Sequence, residues 1–279
     1  MKRKKVIALI TAALTFTMTV CGSLTAAAAS ELTAESKPAT QYTIDANQEV
    51  YALLDFEDTA EFENATKGQI ASPDTLDIYD ENGKLVWSQT VYAFLDQDAP
   101  DTANPSLWRD TQLNHIYGLF EVTDEIYQVR GYDMSNVTFI KGDTGWIVVD
   151  PLMSVECAQA ALALVEENLG TFPVKAVIYS HSHVDHFGGV KGIVSEEEVQ
   201  AGNVQVIAPE GFEKHAVSEN IYAGTAMGRR ASYQYGTMLE GGETGSLAIG
   251  IGMGQSKGST SYISPTLEIT QTGEKHTID

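Results

Sequence analysis

Short apolar runs separated by polar segments dominate the chain from residue 126 onward. The runs IYQVRG, NVTFIKG, WIVVDP, VKAVIYS and VQVIAP predict strands at 126–131, 136–142, 146–151, 174–180 and 204–209. Residues 154–169 carry apolar positions at helical spacing, with Ser154 as a cap and Gly170 as a stop. Apolar strands that alternate with helices are typical of an α/β fold in which both faces of the sheet are covered.

The pattern is less regular before residue 126. Residues 30–50 are polar without a sustained apolar period, which predicts a flexible leader. Residues 51–125 hold short apolar clusters, and DENGK at 80–84 predicts a hairpin turn. The expected organisation is therefore an N-terminal region, 51–125, that packs on a domain formed by residues 126–279.

The first 29 residues follow a different pattern. MKRKK is positively charged, VIALITAALTFTMTV is apolar, and SLTAAAAS offers small residues for cleavage. This order predicts a secretory signal peptide at 1–29, because the apolar run is too short to span a membrane. A secreted or cell-surface protein with no membrane span in its mature chain is expected. A lipid anchor at Cys21 is the alternative, which Val20 immediately before the cysteine disfavours.

Charge and cysteine content narrow the function classes. The formal net charge is −21. So acidic a surface repels nucleic acid, which excludes nucleic acid as a partner. Cys157 is the only cysteine left after signal cleavage, so the mature chain has no intrachain disulfide. Cys157 lies within the apolar helical pattern and is predicted to be a core residue.

The segment SHSHVDHFGG, residues 180–189, holds three of the six histidines and directly follows an apolar strand. Imidazole nitrogens and carboxylates are ligands of zinc and related metals. We expect His181 and His183 to share one ion, and Asp185 and His186 to bind a second. Two ions about 4 Å apart make water nucleophilic at neutral pH. The alternative is a solvated polar loop whose histidines cap backbone groups.

Other polar residues carry weaker signals. His115, His215 and His276 are isolated in the sequence and are predicted to be surface or structural residues. Arg229 and Arg230 are able to meet an anion, but solvent-facing arginines fit the pattern equally well.

The H-x-H-x-D-H pattern after a buried strand resembles that of the metallo-β-lactamase superfamily. Its flanks are similar to linear alkylsulfatases, the class that cleaves dodecyl sulfate. The similar segments are residues 104–114 (NPSLWRDTQLN), 118–152, 177–190 (VIYSHSHVDHFGGV) and 221–236 (IYAGTAMGRRASYQYG). The likeness extends from about Leu54 to Asp279. It implies the first half of a metallo-β-lactamase-type αββα sandwich, incomplete at its C-terminus.

The resemblance also implies the chemistry: zinc-dependent hydrolysis of alkyl sulfate esters to alcohol and sulfate, with two zinc ions. His181 and His183 match ligands of one zinc, and Asp185 and His186 match ligands of the other. The counterpart of Asp185 also belongs to the acid–base machinery, so Asp185 is the expected catalytic residue.

Tyr222 and Thr225 match polar positions of the segment that lines the substrate site in these relatives. Members of the family usually have asparagine where this chain has Thr225, so the amide donor at that position is lost. Two alternatives to an alkylsulfatase remain. One is another hydrolase of the superfamily, acting on a lactone or phosphoester, and the other is a truncated, non-catalytic metal-binding remnant.

The end of the sequence predicts a longer protein. SYISPTLEITQTGEKHTID reads as a strand, a TGEK turn and the start of a returning strand. The relatives' further ligands (two glutamates and a histidine) and their dimerisation regions lie downstream of the match to Asp279. The chain is therefore expected to be the N-terminal part of such an enzyme, and a homodimer is expected only of a full-length protein.

Overall fold

A mixed sheet of eight strands organises the computed structural model, which describes residues 37–239, 241–243 and 245–279. The strands are β1 (Gln69–Ala71), β2 (Asp77–Tyr79), β3 (Leu85–Ser88), β4 (Gly118–Thr123), β5 (Ile126–Arg130), β6 (Val137–Lys141), β7 (Trp146–Val149), β8 (Val174–Ile178), β9 (Gln205–Pro209) and β10 (Leu267–Ile269). The sheet order is β1-β4-β5-β6-β7-β8-β9-β10, and β2 pairs with β3 in a separate hairpin. Neighbours are antiparallel from β1 to β7 and parallel from β7 to β10.

Helices connect and cover these strands. They are α1 (Gln41–Leu53), α2 (Ala60–Thr66), α3 (Pro105–Asn114), α4 (Val155–Leu169), α5 (Glu196–Gln200), α6 (Phe212–Val217) and α7 (Gly224–Tyr235). A π-helical turn, Ser218–Tyr222, lies between α6 and α7. Among the residues described, no helix has the length and apolar character needed to cross a bilayer.

The parallel half of the sheet has a core of small and β-branched side chains. Helix α4 connects β7 to β8 and buries Cys157, Ala158, Ala161 and Val165. The central strands are fully buried at positions such as Val148, Val177 and Val206. Each buried valine contributes about 1.5–3 kcal/mol to folding. Strand β9 is buried at three consecutive positions, 206–208, and therefore on both faces, whereas β7 alternates between fully and partly buried positions.

The predicted α/β fold is confirmed. The five strands expected from residue 126 onward are β5 to β9, the expected long helix is α4, and the hairpin around DENGK is β2–β3. Cys157 is a free, fully buried cysteine, and burial raises the pKa of its thiol. This environment suits the packing role that the sequence predicts.

The N-terminal segments depart from expectation. Residues 41–50, predicted to be part of a flexible leader, belong to α1. The helix buries no residue, so it has no apolar stripe for the sequence to reveal. Local contacts define it instead: the Thr40 side chain accepts a hydrogen bond from the Thr43 N–H, and the Asn47 amide donates to the Asp101 carbonyl at 2.9 Å. The predicted signal peptide and the start of the leader lie outside the described residues.

The expected boundary at residue 126 falls inside a hairpin. Strand β4 pairs with β5 from Gly118 opposite Arg130 to Thr123 opposite Ile126, and β1 extends the same sheet. Residues of the 51–125 region therefore form part of the main sheet through backbone hydrogen bonds, rather than packing on it. Residues Ala39–Asp279 form one compact unit.

The C-terminal segment forms the predicted strand but not a returning one. Strand β10 pairs in parallel with β9, and residues 275–279 adopt no strand conformation. The Asp279 carboxylate instead accepts hydrogen bonds from the backbone N–H groups of Thr144 at 2.6 Å and Gly145 at 3.1 Å.

Candidate active site

Two parallel strands bring the histidine-rich loop to the carboxyl edge of the sheet. The loop follows β8, and Asp150 follows the neighbouring β7. The Asp150 N–H donates to the Ile178 carbonyl at 2.9 Å, which continues the ladder beyond the strands. The Asp150 carboxylate accepts from the Ser180 N–H at 2.8 Å and from the Ser180 hydroxyl at 2.7 Å. The first residue of the loop is therefore fixed to the end of β7.

Glycines allow the loop to lie against the segment that follows β7. A Cβ at Gly188 would overlap the Met153 carbonyl oxygen, and one at Gly189 would overlap the Pro151 carbonyl oxygen. Asp150 has a φ of 56° and Leu152 a φ of 60°, both in the left-handed region. Such residues cost of order 1–3 kcal/mol each, which the surrounding packing must offset.

Carboxylates contact both ring nitrogens of His186. Its Nδ1 lies 2.9 Å from Asp150 Oδ2, and its Nε2 lies 3.1 Å from Asp185 Oδ2. Burial favours a lower pKa for His186, but the hydrogen bonds to Asp150 and Asp185 outweigh burial and raise the pKa to about 9. Burial favours a higher pKa for Asp185, and its contact with His186 outweighs that effect, so the Asp185 pKa is lowered. Asp185 is 9 % exposed and stays ionised at neutral pH.

The three imidazoles lie side by side. The ring centroid of His181 is 4.7 Å from that of His183 and 4.1 Å from that of His186. The Ser180 hydroxyl lies 2.8 Å from His181 Nδ1. Burial and the neighbouring His186 and His183 lower the pKa of His181. A neutral imidazole, with a free lone pair, is the form that binds metals.

Glu219 reaches the cluster from a distant part of the chain. Its Oε1 lies 3.3 Å from His183 Nε2. The residue sits in the π-helical turn Ser218–Tyr222, directly before the segment that resembles the alkylsulfatase substrate region. Sequence reasoning missed Glu219, because an acidic residue in a polar helical segment looks like ordinary surface.

A buried carboxylate supports the loops around the cluster. Asp133 is 2 % exposed and accepts hydrogen bonds from the N–H groups of Met153 at 3.2 Å and Ser154 at 3.3 Å, and from the Ser256 hydroxyl at 2.7 Å. Burial raises the pKa of Asp133 although these hydrogen bonds oppose the rise. Nearby, the Ser135 hydroxyl donates to the Asp185 carbonyl.

The donor chemistry of the cluster suits a divalent cation. Two ligands about 2.1 Å from one tetrahedral ion lie roughly 3.4 Å apart, close to the 3.1 Å between His186 Nε2 and Asp185 Oδ2. A histidine held through its other nitrogen by a carboxylate, as Asp150 holds His186, is the usual arrangement of a metal-binding histidine. Across the described part of the chain, however, no three His, Cys, Asp or Glu side chains are arranged around one point that suits an ion. The cluster therefore offers pairs of donors rather than a closed cage.

The structure brings together His181, His183, Asp185 and His186, as the sequence predicts, but not the two predicted substrate residues. Tyr222 is 84 % exposed, Thr225 is also exposed, and no hydrogen bond described for either reaches the histidines. Beside Asp150, Asp185 and His186 lies an open cleft of about 360 Å³, whose other lining residues are Gln128, Met134, Ser135, Asn136, Thr138, Val149 and Ile251. The assignments of these residues to metal, catalysis and substrate stay predictions.

The same region matches a known protein family. Residues 130–263, which contain the histidine loop and Asp150, match the family model of the metallo-beta-lactamase superfamily. This part of the chain, a little under half of it, is therefore similar to the metallo-beta-lactamase superfamily. The expected fold and the resemblance stated from the sequence are both confirmed.

Similar proteins within the superfamily are sulfatases. A linear primary-alkylsulfatase from Pseudomonas sp is 50 % identical over 246 residues, covering 88 % of this chain and 36 % of the relative. The alkyl/aryl-sulfatase BDS1 of Saccharomyces cerevisiae is 48 % identical, covering 85 % of this chain and 37 % of the relative. The solved structure of the stereoselective inverting sec-alkylsulfatase Pisa1 from Pseudomonas sp. has a TM-score of 0.83 and 47 % identity, covering 88 % of this chain and 39 % of that one. The chain thus spans a little over a third of the length of these relatives.

Proposed function

We propose that this chain is part of a zinc-dependent alkylsulfatase, which hydrolyses an alkyl sulfate ester to an alcohol and sulfate. The observation that carries the proposal is the cluster of three imidazoles and Asp185 at the end of β8, in a chain that is 50 % identical to an alkylsulfatase. The exposed cleft beside the cluster suits a small ester rather than a polymer.

In this proposal His181 and His183 contribute ligands to one ion, and Asp185 and His186 contribute ligands to another. A bound divalent cation supplies a Lewis acid that acidifies water and offsets the negative charge of the sulfate group. Such charge compensation is needed here, because the chain itself carries a net charge of −21 and otherwise repels an anionic substrate.

The side chains around the cluster have separable roles. Asp150 orients His186 by accepting a hydrogen bond from Nδ1, so that Nε2, which faces Asp185, becomes the donor nitrogen when an ion displaces its proton. Asp185, whose pKa is lowered, provides a carboxylate oxygen that accepts the proton released when water attacks the ester. Tyr222 and Thr225 are proposed to meet the substrate from the segment after Glu219, where both are exposed.

Sulfate release from dodecyl sulfate tests the proposal. The assay uses the polypeptide that the gene's reading frame encodes, whether that frame stops after Asp279 or continues, with zinc added and sulfate measured by ion chromatography. We expect release by the wild type and a loss of about 10²–10⁴-fold in Asp185→Asn, the size of a missing general acid–base group. Asp124→Asn, which removes an exposed carboxylate from the β4–β5 turn, serves as the control.

The alternatives predict different results in the same assay. Zinc binding without sulfate release indicates a non-catalytic metal-binding protein. Hydrolysis of a lactone or of p-nitrophenyl phosphate, with no hydrolysis of dodecyl sulfate, indicates another hydrolase of the superfamily. Either result contradicts the alkylsulfatase proposal.

Export completes the proposal. The basic and apolar N-terminal residues support a cleaved signal peptide, which places the enzyme outside the cell or at its surface. N-terminal sequencing of the protein recovered from the culture medium and cell surface tests this. A mature N-terminus close to residue 29 is expected, and an intact protein that stays inside the cell contradicts export.

A further inference from the structure

Ile251 is a large apolar residue that lies exposed on a tightly turned backbone. It is 65 % exposed, and the turn that carries it is closed by a hydrogen bond from the Ile249 N–H to the Gly252 carbonyl at 3.0 Å. Gly250 has a φ of 83°, in the left-handed region that glycine adopts without strain. The glycines explain the turn, but they do not explain an isoleucine between them.

Hydrogen bonds on both sides hold this turn in place. The Asn114 amide, at the end of α3, donates to the Gly250 carbonyl at 3.4 Å. The Tyr92 hydroxyl donates to the Met253 carbonyl at 3.0 Å, and Met253 is 3 % exposed. Ile251 is therefore presented on an anchored backbone, and a ligand that covers it has little backbone to order.

The anchored turn forms part of the cleft beside the histidine cluster. Ile251 lines this cleft of about 360 Å³ together with Asp150 and His186. Met134 lines it as well, and its carbonyl oxygen would be 3.0 Å from a Cβ added at Gly252. The turn thus packs directly against another residue of the cleft.

The cleft has a charged end and an apolar wall. Asp150, Asp185 and His186 form the charged end, whereas Met134 and Ile251 contribute apolar side chains. An alkyl sulfate has the same division, with an anionic group at one end of a hydrocarbon chain. Covering an exposed apolar side chain with hydrocarbon removes both from water, which favours binding.

We propose that Ile251 is a specificity-determining residue, which contacts the alkyl chain of the substrate when the sulfate group lies at the histidine cluster. This inference rests on the proposed function, because it takes the sulfate group to bind there. Affinity then increases with chain length until Ile251 is covered, by at most about fourfold per methylene group.

Alkyl sulfonates, whose carbon–sulfur bond resists hydrolysis, test this inference through binding alone. The polypeptide that the reading frame encodes is loaded with zinc, and NMR titration measures the Kd of methyl and octyl sulfonate. Ile251→Ala should weaken the binding of octyl sulfonate by about 10-fold, the contribution of one to two buried methylene groups. The affinity for methyl sulfonate should stay within about twofold, because that ligand has no chain.

Two further variants separate chain contact from a general effect of mutation. Ile251→Leu keeps the apolar volume and should bind octyl sulfonate within about threefold of the wild type. Ile70→Ala removes the same atoms from an isoleucine of β1 that is 41 % exposed and lies outside the residues lining the cleft, so both affinities should be unchanged. Matching thermal unfolding curves show that Ile251→Ala and Ile251→Leu are folded.

Methyl NMR on protein with ¹³C-labelled isoleucine δ1 carbons observes the contact directly. The signal that Ile251→Leu removes is that of Ile251. It should shift when octyl sulfonate is added and should stay in place with methyl sulfonate, while the Ile70 signal should not respond to either ligand.

The outcomes separate this inference from the proposed function. If Ile251→Ala and the wild type prefer octyl over methyl sulfonate by the same factor, the inference is overturned, and the alkylsulfatase proposal still stands. An equal loss of affinity for both ligands in Ile251→Ala also overturns it, because the charged end of the cleft is then affected. A wild type that binds neither sulfonate refutes the sulfate position on which both proposals depend.

Discussion

A single carboxylate, that of Asp150, joins the end of β7 to the histidine loop. It accepts hydrogen bonds from the Ser180 N–H, the Ser180 hydroxyl and His186 Nδ1. Its backbone is left-handed, with a φ of 56°. Asparagine and aspartate tolerate this region better than other residues with a Cβ. An asparagine at this position therefore changes the side-chain chemistry with little effect on the backbone.

We predict that Asp150→Asn weakens zinc binding by about 10–100-fold. The amide keeps one acceptor oxygen, but its NH₂ group cannot accept from Ser180 or His186, so the imidazole loses its fixed orientation. Calorimetric titration of zinc measures the effect, and Asp124→Asn is the control. Equal affinities for Asp150→Asn and the wild type would refute the orienting role.

His115 provides a pH dependence far from the histidine loop. It is half-buried, with Nδ1 2.9 Å from Gln89 Oε1, and its ring lies near Tyr92 and Tyr117. Burial lowers the pKa of His115 below its ordinary value of 6.5, although Asp96 opposes the shift. As the pH falls below about 6.5, the unfolded chain binds a proton at this position before the folded chain does, so the protein loses stability.

We predict that His115→Gln reduces the loss of stability between pH of about 7.5 and 5.5, because glutamine does not titrate. Urea unfolding at the two pH values measures the free energy of unfolding of each variant. The exposed His215 provides the control, and His215→Gln should keep the wild-type difference. If His115→Gln loses as much stability as the wild type between these two pH values, the buried neutral histidine does not contribute to the loss of stability in acid.

At the scale of elements, the two glycines after the histidines lie so close to the backbone of the segment after β7 that a side chain does not fit there. We predict that Gly189→Ala destabilises the fold by about 1–3 kcal/mol, since its methyl group would overlap the Pro151 carbonyl oxygen. Gly228→Ala is the matched control, because no atom lies within 4 Å of its added Cβ and alanine favours helix α7 by about 0.5–1 kcal/mol. The midpoints of thermal and urea unfolding should fall for Gly189→Ala and rise for Gly228→Ala. A shift in the same direction would contradict this.

The elements that the sequence predicts are those whose pattern is local. Strands β5 to β9 and helix α4 have apolar spacings that follow directly from burial. Helix α1 buries nothing, so its residues resemble a polar leader. Pairing of β4 with β5 across the expected boundary at 126 depends on backbone hydrogen bonds, which the side-chain pattern does not encode.

The site shows the same division. Four residues of the loop are recognisable from the sequence because their spacing is itself unusual: His181, His183, Asp185 and His186. Glu219 approaches His183 only through the folded chain, and Asp133 supports Met153, Ser154 and Ser256 through backbone and hydroxyl donors. Contacts between residues so far apart in the sequence leave no spacing signal, and the sequence does not predict them.

At the scale of the whole molecule, Asp133 connects three distant segments. We predict that Asp133→Ala destabilises the protein by more than about 3 kcal/mol, because the buried N–H groups of Ser154 and Ser256 and the partly buried N–H of Met153 each lose an acceptor, at about 1–3 kcal/mol per group. Ser256→Ala, which removes only the hydroxyl, should cost about 1 kcal/mol. Urea unfolding compares the two variants. A loss below about 1 kcal/mol for Asp133→Ala would show that water replaces the carboxylate.

The change of strand direction at β7 has a consequence for how the molecule assembles. The antiparallel pairs β4–β5, β5–β6 and β6–β7 join neighbours in sequence, whereas β7 and β8 meet only after α4 has crossed the sheet. Contacts between sequence neighbours form faster than distant ones. Pulsed hydrogen exchange during refolding should therefore protect the meander first, and early protection of β8 and β9 would contradict this order. The loop that carries the histidines would then be among the last parts of the sheet edge to fold. A metal ion that binds during refolding would therefore bind after the antiparallel strands β4 to β7 have formed.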